Sequence, residues 1–330
     1  MSSAIMPMPP FVWQQDLWSG FCERLAAKKL PHAFLLTAQA GVGANALGLA
    51  MGQYLLCLSP LDNIACGQCK GCHLLNAESH PDLMRVSLEE KATQIKVDQI
   101  REISAFVSKT PQQGGYKVVL LTPAESMNVN AANALLKNLE EPAGKTVFIL
   151  VSEEPSRILP TIRSRCAKIS LPIPQQQQAL EWLNSSGVDN AQSLLEEAHG
   201  APLLAKEWFD SGMLEQRHAL VSAMADIANH QLEPMLFAKQ WGSQEPLWLV
   251  KVMMSAIDTV LMRTYADKPV ASHFQALNEA MSRCQPLHLF RLRDRLCEKR
   301  EQAQGSSNLN AALFVEELAL DWYAVCNARR

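Results

Sequence analysis

Three short stretches, "HAFLLT" (32–37), "YKVVLLT" (116–122) and "TVFILVS" (146–152), are apolar without alternation. A strand with one wet face alternates apolar and polar side chains, so unbroken runs of this length predict strands covered on both faces, as in a parallel sheet. The pattern around them has helical spacing. "ANALGLAMGQYLLCL" follows the first run, and "NVNAANALLKNLEEP", stopped by Pro142, separates the second from the third. "KVDQIREISAFVSKT" places Ile100, Ile103 and Val107 on one helix face, "PDLMRVS" reads as a further strand, and residues 11–30 read as a helix ending at Pro31. This alternation predicts an α/β fold, a right-handed, doubly wound parallel sheet over residues 1–170.

The texture changes at "LPIPQQQQ" (171–178), and no further strand is expected. Short helical patterns to residue 212 form a small helical unit, and residues 213–330 read as helix throughout, with apolar stripes at i, i+3 and i+4. A bundle of five or six helices would bury those stripes, and a stripe left over would favour association. The basic run "RLRDRLCEKR" repeats Arg291, Arg295 and Lys299 every four residues and reads as a solvated helix face.

The chain of 330 residues has 48% hydrophobic and 19% charged residues and a formal net charge of -3. That balance argues against nucleic-acid binding through bulk charge. No basic-then-apolar leader and no uncharged apolar run of 18 residues occurs, so a cytoplasmic chain without a membrane partner is expected. In a reducing cytosol its nine cysteines are thiols or metal ligands.

Four of the nine, Cys57, Cys66, Cys69 and Cys72, are spaced C-x8-C-x2-C-x2-C. Cys-x-x-Cys turns bring successive sulfurs to one point, and four thiolates suit tetrahedral zinc in a closed structural site with no ligand position left for substrate. Gly67 and Gly71 ease the tight turns, and the adjacent His73 is read as a bystander.

A second motif is a phosphate-binding loop without its chemistry. After "HAFLLT" comes "AQAGVGANALGLA", which keeps the glycine turn at Gly41 and Gly43 but has Ala44 and Asn45 where the working loop has lysine and Ser/Thr. Those two residues supply the cation for the phosphates and a ligand for Mg²⁺. After "YKVVLLT", where paired carboxylates would hold the metal, stand Thr122 and Pro123, with Glu125 two positions late. Third, in "ILPTIRSRCAKISL" (158–171), Arg163 and Arg165 alternate where a buried strand is read as giving way to a loop, with Arg157 upstream.

Four motifs in this order, "AQAGVGANAL", "CLSPLDNIACGQCKGC", "NALLKNLEEP" and "SRC" (164–166), resemble the delta-prime family of bacterial DNA polymerase III clamp-loader subunits, within the AAA+ fold. The resemblance spans essentially the whole chain. It implies an AAA+ sheet domain with a degenerate loop (1–170), a helical lid (171–212) and a helical collar (213–330). It further implies no ATP bound or hydrolysed by this chain. Its partners would be the tau/gamma motor subunit and the delta subunit, with the beta sliding clamp and primer-template DNA met through the complex. Within Ser164-Arg165-Cys166, it assigns Arg165 as an arginine finger on the neighbouring motor subunit's ATP. Leu203, in "GAPLLA", replaces a nucleotide-sensing arginine of the motor subunit. The chain would then be a subunit of a DNA-directed DNA polymerase holoenzyme with no ATPase activity of its own. Two alternatives stay open: an active AAA+ ATPase with Arg157 or Lys145 in place of the lysine, and a zinc-ribbon DNA-binding module. The 57–72 segment offers the latter only Lys70 against Asp62.

Overall fold

The structure, a computed structural model, describes residues 10–328 apart from 91, 114, 143, 266–271 and 306–308. The chain divides into two compact units, Met1–Glu207 and Trp208–Arg330.

In the first unit, α1 (Gln15–Ala26) leads to β1 (Ala33–Thr37) and α2 (Ala44–Leu56). Then come α3 (Lys70–Asn76), β2 (Leu83–Val86), α4 (Val97–Val107), β3 (Lys117–Leu121), α5 (Val129–Glu140) and β4 (Thr146–Ser152). A one-turn helix, α6 (Pro160–Arg163), precedes β5 (Ala167–Ser170), and α7 (Gln176–Ser185) and α8 (Ala191–Glu197) follow. The sheet order is β2-β3-β4-β1-β5, with all four pairings parallel. Every residue of β3 and β4 is buried, as unbroken apolar runs require. Alternate side chains serve two cores. Phe34, Leu36, Val118, Leu120 and Ile149 pack with Trp18, Phe21, Leu47 and Met51 of α1 and α2, whereas Leu35, Val119, Phe148 and Leu150 pack with residues of α4, α5 and α6. The sheet is therefore doubly wound, as the alternation predicts.

Two local readings change. Residues 11–30 do not form one helix from their start, because Val12–Gln14 make a 3₁₀ turn before α1. The segment after Cys166 is not loop but β5, a four-residue edge strand in which Ala167 and Ile169 are half-buried and Lys168 and Ser170 exposed. Arg163 accordingly closes α6, and Arg165 lies in the turn between α6 and β5, not where a strand gives way to a loop.

One buried polar group ties the outer half of the sheet. Asp82 is fully buried before β2 and accepts the N–H groups of Gln112 and Gln113 at 2.8 and 2.9 Å. Lys117 Nζ approaches its carboxylate at 3.8 Å and sits 3.8 Å from the Phe106 ring centroid.

The helix α9 (Pro202–Ser211) carries the unit boundary, and the second unit continues as α10 (Met213–Ala228), α11 (Pro234–Trp241), α12 (Pro246–Tyr265), α13 (Gln275–Ser282), α14 (Pro286–Gly305) and α15 (Ala311–Asn327). Its core gathers the apolar stripes, among them Met224, Leu249, Ile257, Leu292, Leu318 and Trp322, whose indole N–H donates to Met224 O at 2.8 Å. The basic face of α14 is not simply solvated. Arg295 pairs with Asp321 at 2.5 Å and Lys299 with Glu317, joining α14 to α15, while Arg293 grips Asp258 of α12 through two hydrogen bonds of 2.6 and 3.2 Å. No helix among the described residues is long and apolar enough to cross a membrane.

Removing one member of a buried ion pair strands the other charge, which costs about 3 kcal/mol or more. Asp82→Ala is therefore expected to lower the free energy of unfolding by about 3 kcal/mol, read from urea denaturation, with Asp82→Asn losing less because one carbonyl oxygen still accepts.

Candidate functional site

Three groups of residues are candidates: the glycine loop, the cysteine cluster and the turn that carries Arg165. The loop turns at the C-terminal end of β1, with Gly41 and Gly43 at φ of 78° and 97°, the left-handed region that glycine enters without steric cost. Its carbonyls are held from three sides. Trp13 Nε1 donates to Val42 O at 2.9 Å, Gln14 Nε2 donates to Gly43 O at 3.0 Å, and the Leu203 N–H donates to Gly41 O at 3.0 Å. Phe11 stacks on Trp13 with ring centroids 4.7 Å apart, and Trp182 stands edge-on to both. The loop shape is thus kept by packing and needs no bound phosphate.

Beside the loop lies a cleft of about 480 Å³, lined by Gly41, Gly43, Ala44, Asn45, Thr122, Pro123, Val151, Glu153 and Leu203 among others. Among its lining residues the only charged side chain is the carboxylate of Glu153. A triphosphate entering here would meet a like charge and no cation. Glu125 is engaged structurally, its Oε1 accepting the Glu153 N–H at 3.1 Å where β4 ends. Lys145 precedes β4 and therefore lies at the N-terminal end of the parallel strands, opposite the loop, with its Nζ 5.9 Å from the Tyr116 ring centroid. Arg157 pairs with Glu154 at 3.6 Å.

Cys57, Cys66, Cys69 and Cys72 come together at the end of α2 and the start of α3, with all four Sγ atoms within 4.8 Å of one another. Separations of 3.6 Å (57–66), 3.9 Å (57–69) and 4.0 Å (66–72) are close to the edge, about 3.8 Å, of a tetrahedron with metal–sulfur arms of about 2.3 Å. Backbone N–H groups aim at the sulfurs: Cys66 at Cys57, Leu58 at Cys69, Cys69 at Cys66 and Cys72 at Cys69, at 3.2 to 3.4 Å. The Ser59 hydroxyl, with the Gln68 and Cys69 backbone N–H groups, lowers the Cys66 thiol to about 6, whereas burial raises Cys57 and Cys72. The donor set and its geometry suit a metal ion. His73 is not part of the cluster.

The Ser164-Arg165-Cys166 turn starts the edge strand. Ser164 Oγ donates to Thr161 O at 3.0 Å, and Cys166 is buried in the core under α5 and α6, where desolvation pushes its thiol up to about 11. Between these two anchored residues Arg165 is turned outward. Its Nη1 donates to Thr161 O at 3.0 Å and its Nη2 meets Glu140 Oε1 at 2.5 Å. Because β5 runs parallel to β1, this turn occupies the end of the sheet opposite the loop, about 17 Å away along β1. The structure therefore does not bring the loop and Arg165 together. Sequence reasoning missed Phe11, Trp13, Gln14 and Glu140, whose roles depend on long-range placement.

A sequence model of the family described as DNA polymerase III, delta subunit, matches residues 13–175. The chain is 38% identical to DNA polymerase III subunit delta-prime of Pseudomonas aeruginosa over 320 residues, covering 94% of this chain and 97% of the relative. It is 33% identical to the subunit of the same name from Escherichia coli, covering 88% of each chain. Among solved structures, a DNA polymerase III gamma subunit-related protein from Thermotoga maritima aligns with a TM-score of 0.48 at 17% identity, covering 93% of this chain and 98% of that one.

A Cβ at Gly41 would lie 2.4 Å from Leu204 Cβ and 2.7 Å from its backbone nitrogen, besides straining the positive φ. Gly41→Ala is expected to destabilise the chain by about 2 kcal/mol or more, seen as a lowered melting temperature. The exposed Asn45→Ala should stay within about 0.5 kcal/mol of the unaltered protein.

Proposed function

Because the chain belongs to the family of DNA polymerase III delta-prime subunits, we propose that it works as a non-hydrolysing stator in a clamp loader, a platform that contributes chemistry to a neighbour's ATP site and none to its own. The observation that carries this reading is the polarity of the sheet. At the C-terminal end of β1 the glycine loop faces a cleft without a cation, while at the other end Arg165 is turned outward beside the edge strand β5. An arginine so placed cannot reach a phosphate on its own loop, as a finger that serves another chain's site requires.

In this reading Arg165 is an arginine finger acting in trans. A guanidinium stays charged at physiological pH and donates two parallel hydrogen bonds to the γ-phosphate oxygens as charge gathers there. Ser164 and Cys166 fix its turn, one by a hydroxyl hydrogen bond to the Thr161 carbonyl and one by burial. The neighbour would be a motor subunit of the tau/gamma type, with a delta subunit completing the ring. The assembly would load the beta sliding clamp on primer-template DNA. Residues 1–170 form the sheet domain, 171–212 the lid and 213–330 the collar that holds the ring together. The Cys57, Cys66, Cys69 and Cys72 cluster holds zinc, since four thiolates in a closed tetrahedron favour that ion and leave no open position. In the alternative of an active ATPase, with Arg157 or Lys145 in place of the lysine, Lys145 lies across the sheet from the loop and Arg157 pairs with Glu154.

The test is reconstitution with the motor and delta subunits. Arg165→Ala should leave folding, metal content and assembly intact and yet reduce DNA-stimulated ATP turnover and clamp loading. Loss of a finger is worth on the order of 10³ to 10⁵ at one site, diluted in the whole complex by sites that keep theirs. Arg165→Lys should be nearly as impaired, because a point charge does not replace the planar fork. Unchanged clamp loading by a fully assembled Arg165→Ala complex would refute the assignment. The isolated chain should show no saturable ATP binding by calorimetry, and metal analysis of reduced protein should find about one zinc per chain.

A further inference from the structure

The guanidinium of Arg165 is held twice by its own chain, by Glu140 Oε1 at 2.5 Å and by Thr161 O at 3.0 Å. Glu140 is the last residue of α5, where Glu141 and Pro142 end the helix. A carboxylate there sits at the negative end of the helix dipole and gains from a cation beside it. The two side chains remain in reach of water, at 36% exposure for Arg165 and 49% for Glu140. A pair so exposed is weak and opens readily. Arginine carries five N–H donors, so the two bonds to its own chain leave three. The Nη2 that meets Glu140 is nevertheless a donor a phosphate would take, because carboxylate and phosphate recognise the same planar donors. A Glu140 that stayed in place would also bring its negative charge beside the γ-phosphate and oppose the charge that Arg165 delivers.

Resting on the reading of Arg165 as a finger, we propose that Glu140 is a positioning residue that acts as a latch. It holds Arg165 against the end of α5 while the neighbouring site is empty and yields it when a nucleoside triphosphate fills that site. Thr161 O, a neutral acceptor, keeps the arginine at the right turn through the exchange. The strength of the Glu140–Arg165 pair is then subtracted from the neighbour's affinity for ATP, so the latch makes the junction respond to nucleotide concentration. No covalent step is involved, and one ion pair replaces another.

The experiment uses the reconstituted complex with ATP and primed DNA. Glu140→Gln keeps the size of the side chain and removes its charge. The ATP concentration for half-maximal turnover should fall roughly two- to fivefold, with the maximal rate within about twofold. The difference should shrink as salt is raised, since an exposed charge pair is screened. In the double variant Arg165→Ala with Glu140→Gln, the change at 140 should have no further effect on the half-saturating ATP concentration, an outcome that a merely structural role of Glu140 would not produce. If Arg165→Ala impairs turnover but Glu140→Gln leaves the half-saturating concentration unchanged, the latch is wrong and the finger stands. A lowered maximal rate without a shift in half-saturation would also overturn the latch, because Glu140 would then orient Arg165 during the reaction. If Arg165→Ala itself has no effect, the finger reading falls and the latch falls with it.

Discussion

Every residue of β4 is buried, and a strand in that position needs hydrogen-bonded neighbours on both edges and apolar cover above and below. Its neighbours are β3 and β1, which are parallel to it, so each connection has to cross from one end of the sheet to the other. Those crossings carry α2 on one face and α4, α5 and α6 on the other, and α1, which precedes β1, completes the cover on the α2 side. The two cores share no side chain because successive residues of a strand point to opposite faces. From this one requirement follow the layers, the position of the loops and the separation of the two ends of the sheet.

That separation puts two candidate sites at opposite ends of the sheet. Loops at the C-terminal ends of parallel strands gather around β1 and β4, and there the glycine turn, Thr122 and Glu153 border the same cleft. Phe11, Trp13, Gln14 and Leu203 support the turn by packing and hydrogen bonds from the chain itself. At the N-terminal ends, the C-terminus of α5 and the α6–β5 turn meet, and Glu140 and Arg165 with them.

The cysteine cluster is built on a different scale. Its sixteen residues close on themselves, with sulfurs satisfied by amides of the same segment. The apolar part of α2 continues into the main core through Leu47, Met51 and Leu55, which anchors the insert at its first ligand. A metal held there would organise a surface feature on a domain that already has its own core.

Much of this was legible in the residues. Unbroken apolar runs announced β1, β3 and β4, since burial on both faces leaves its mark on each successive residue. The spacing of Cys57, Cys66, Cys69 and Cys72 announced a ligand cluster, since atoms a few residues apart cannot avoid one another in tight turns. The short edge strand β5 was not legible, because four residues with one half-buried face look like a loop. Nor was the pairing of α14 with α15 through Arg295 and Lys299, since a helix face reveals its charge but not what stands opposite. The sequence by itself determined that Ala44 and Asn45 stand where a phosphate-binding loop carries a lysine and a hydroxyl, because a missing side chain is missing in any fold. Only the tertiary structure decided where the arginine goes. The end of the sheet that Arg165 occupies, and the Glu140 that holds it from 25 residues away, depend on strand order and on where a helix stops, and neither is written in any local pattern.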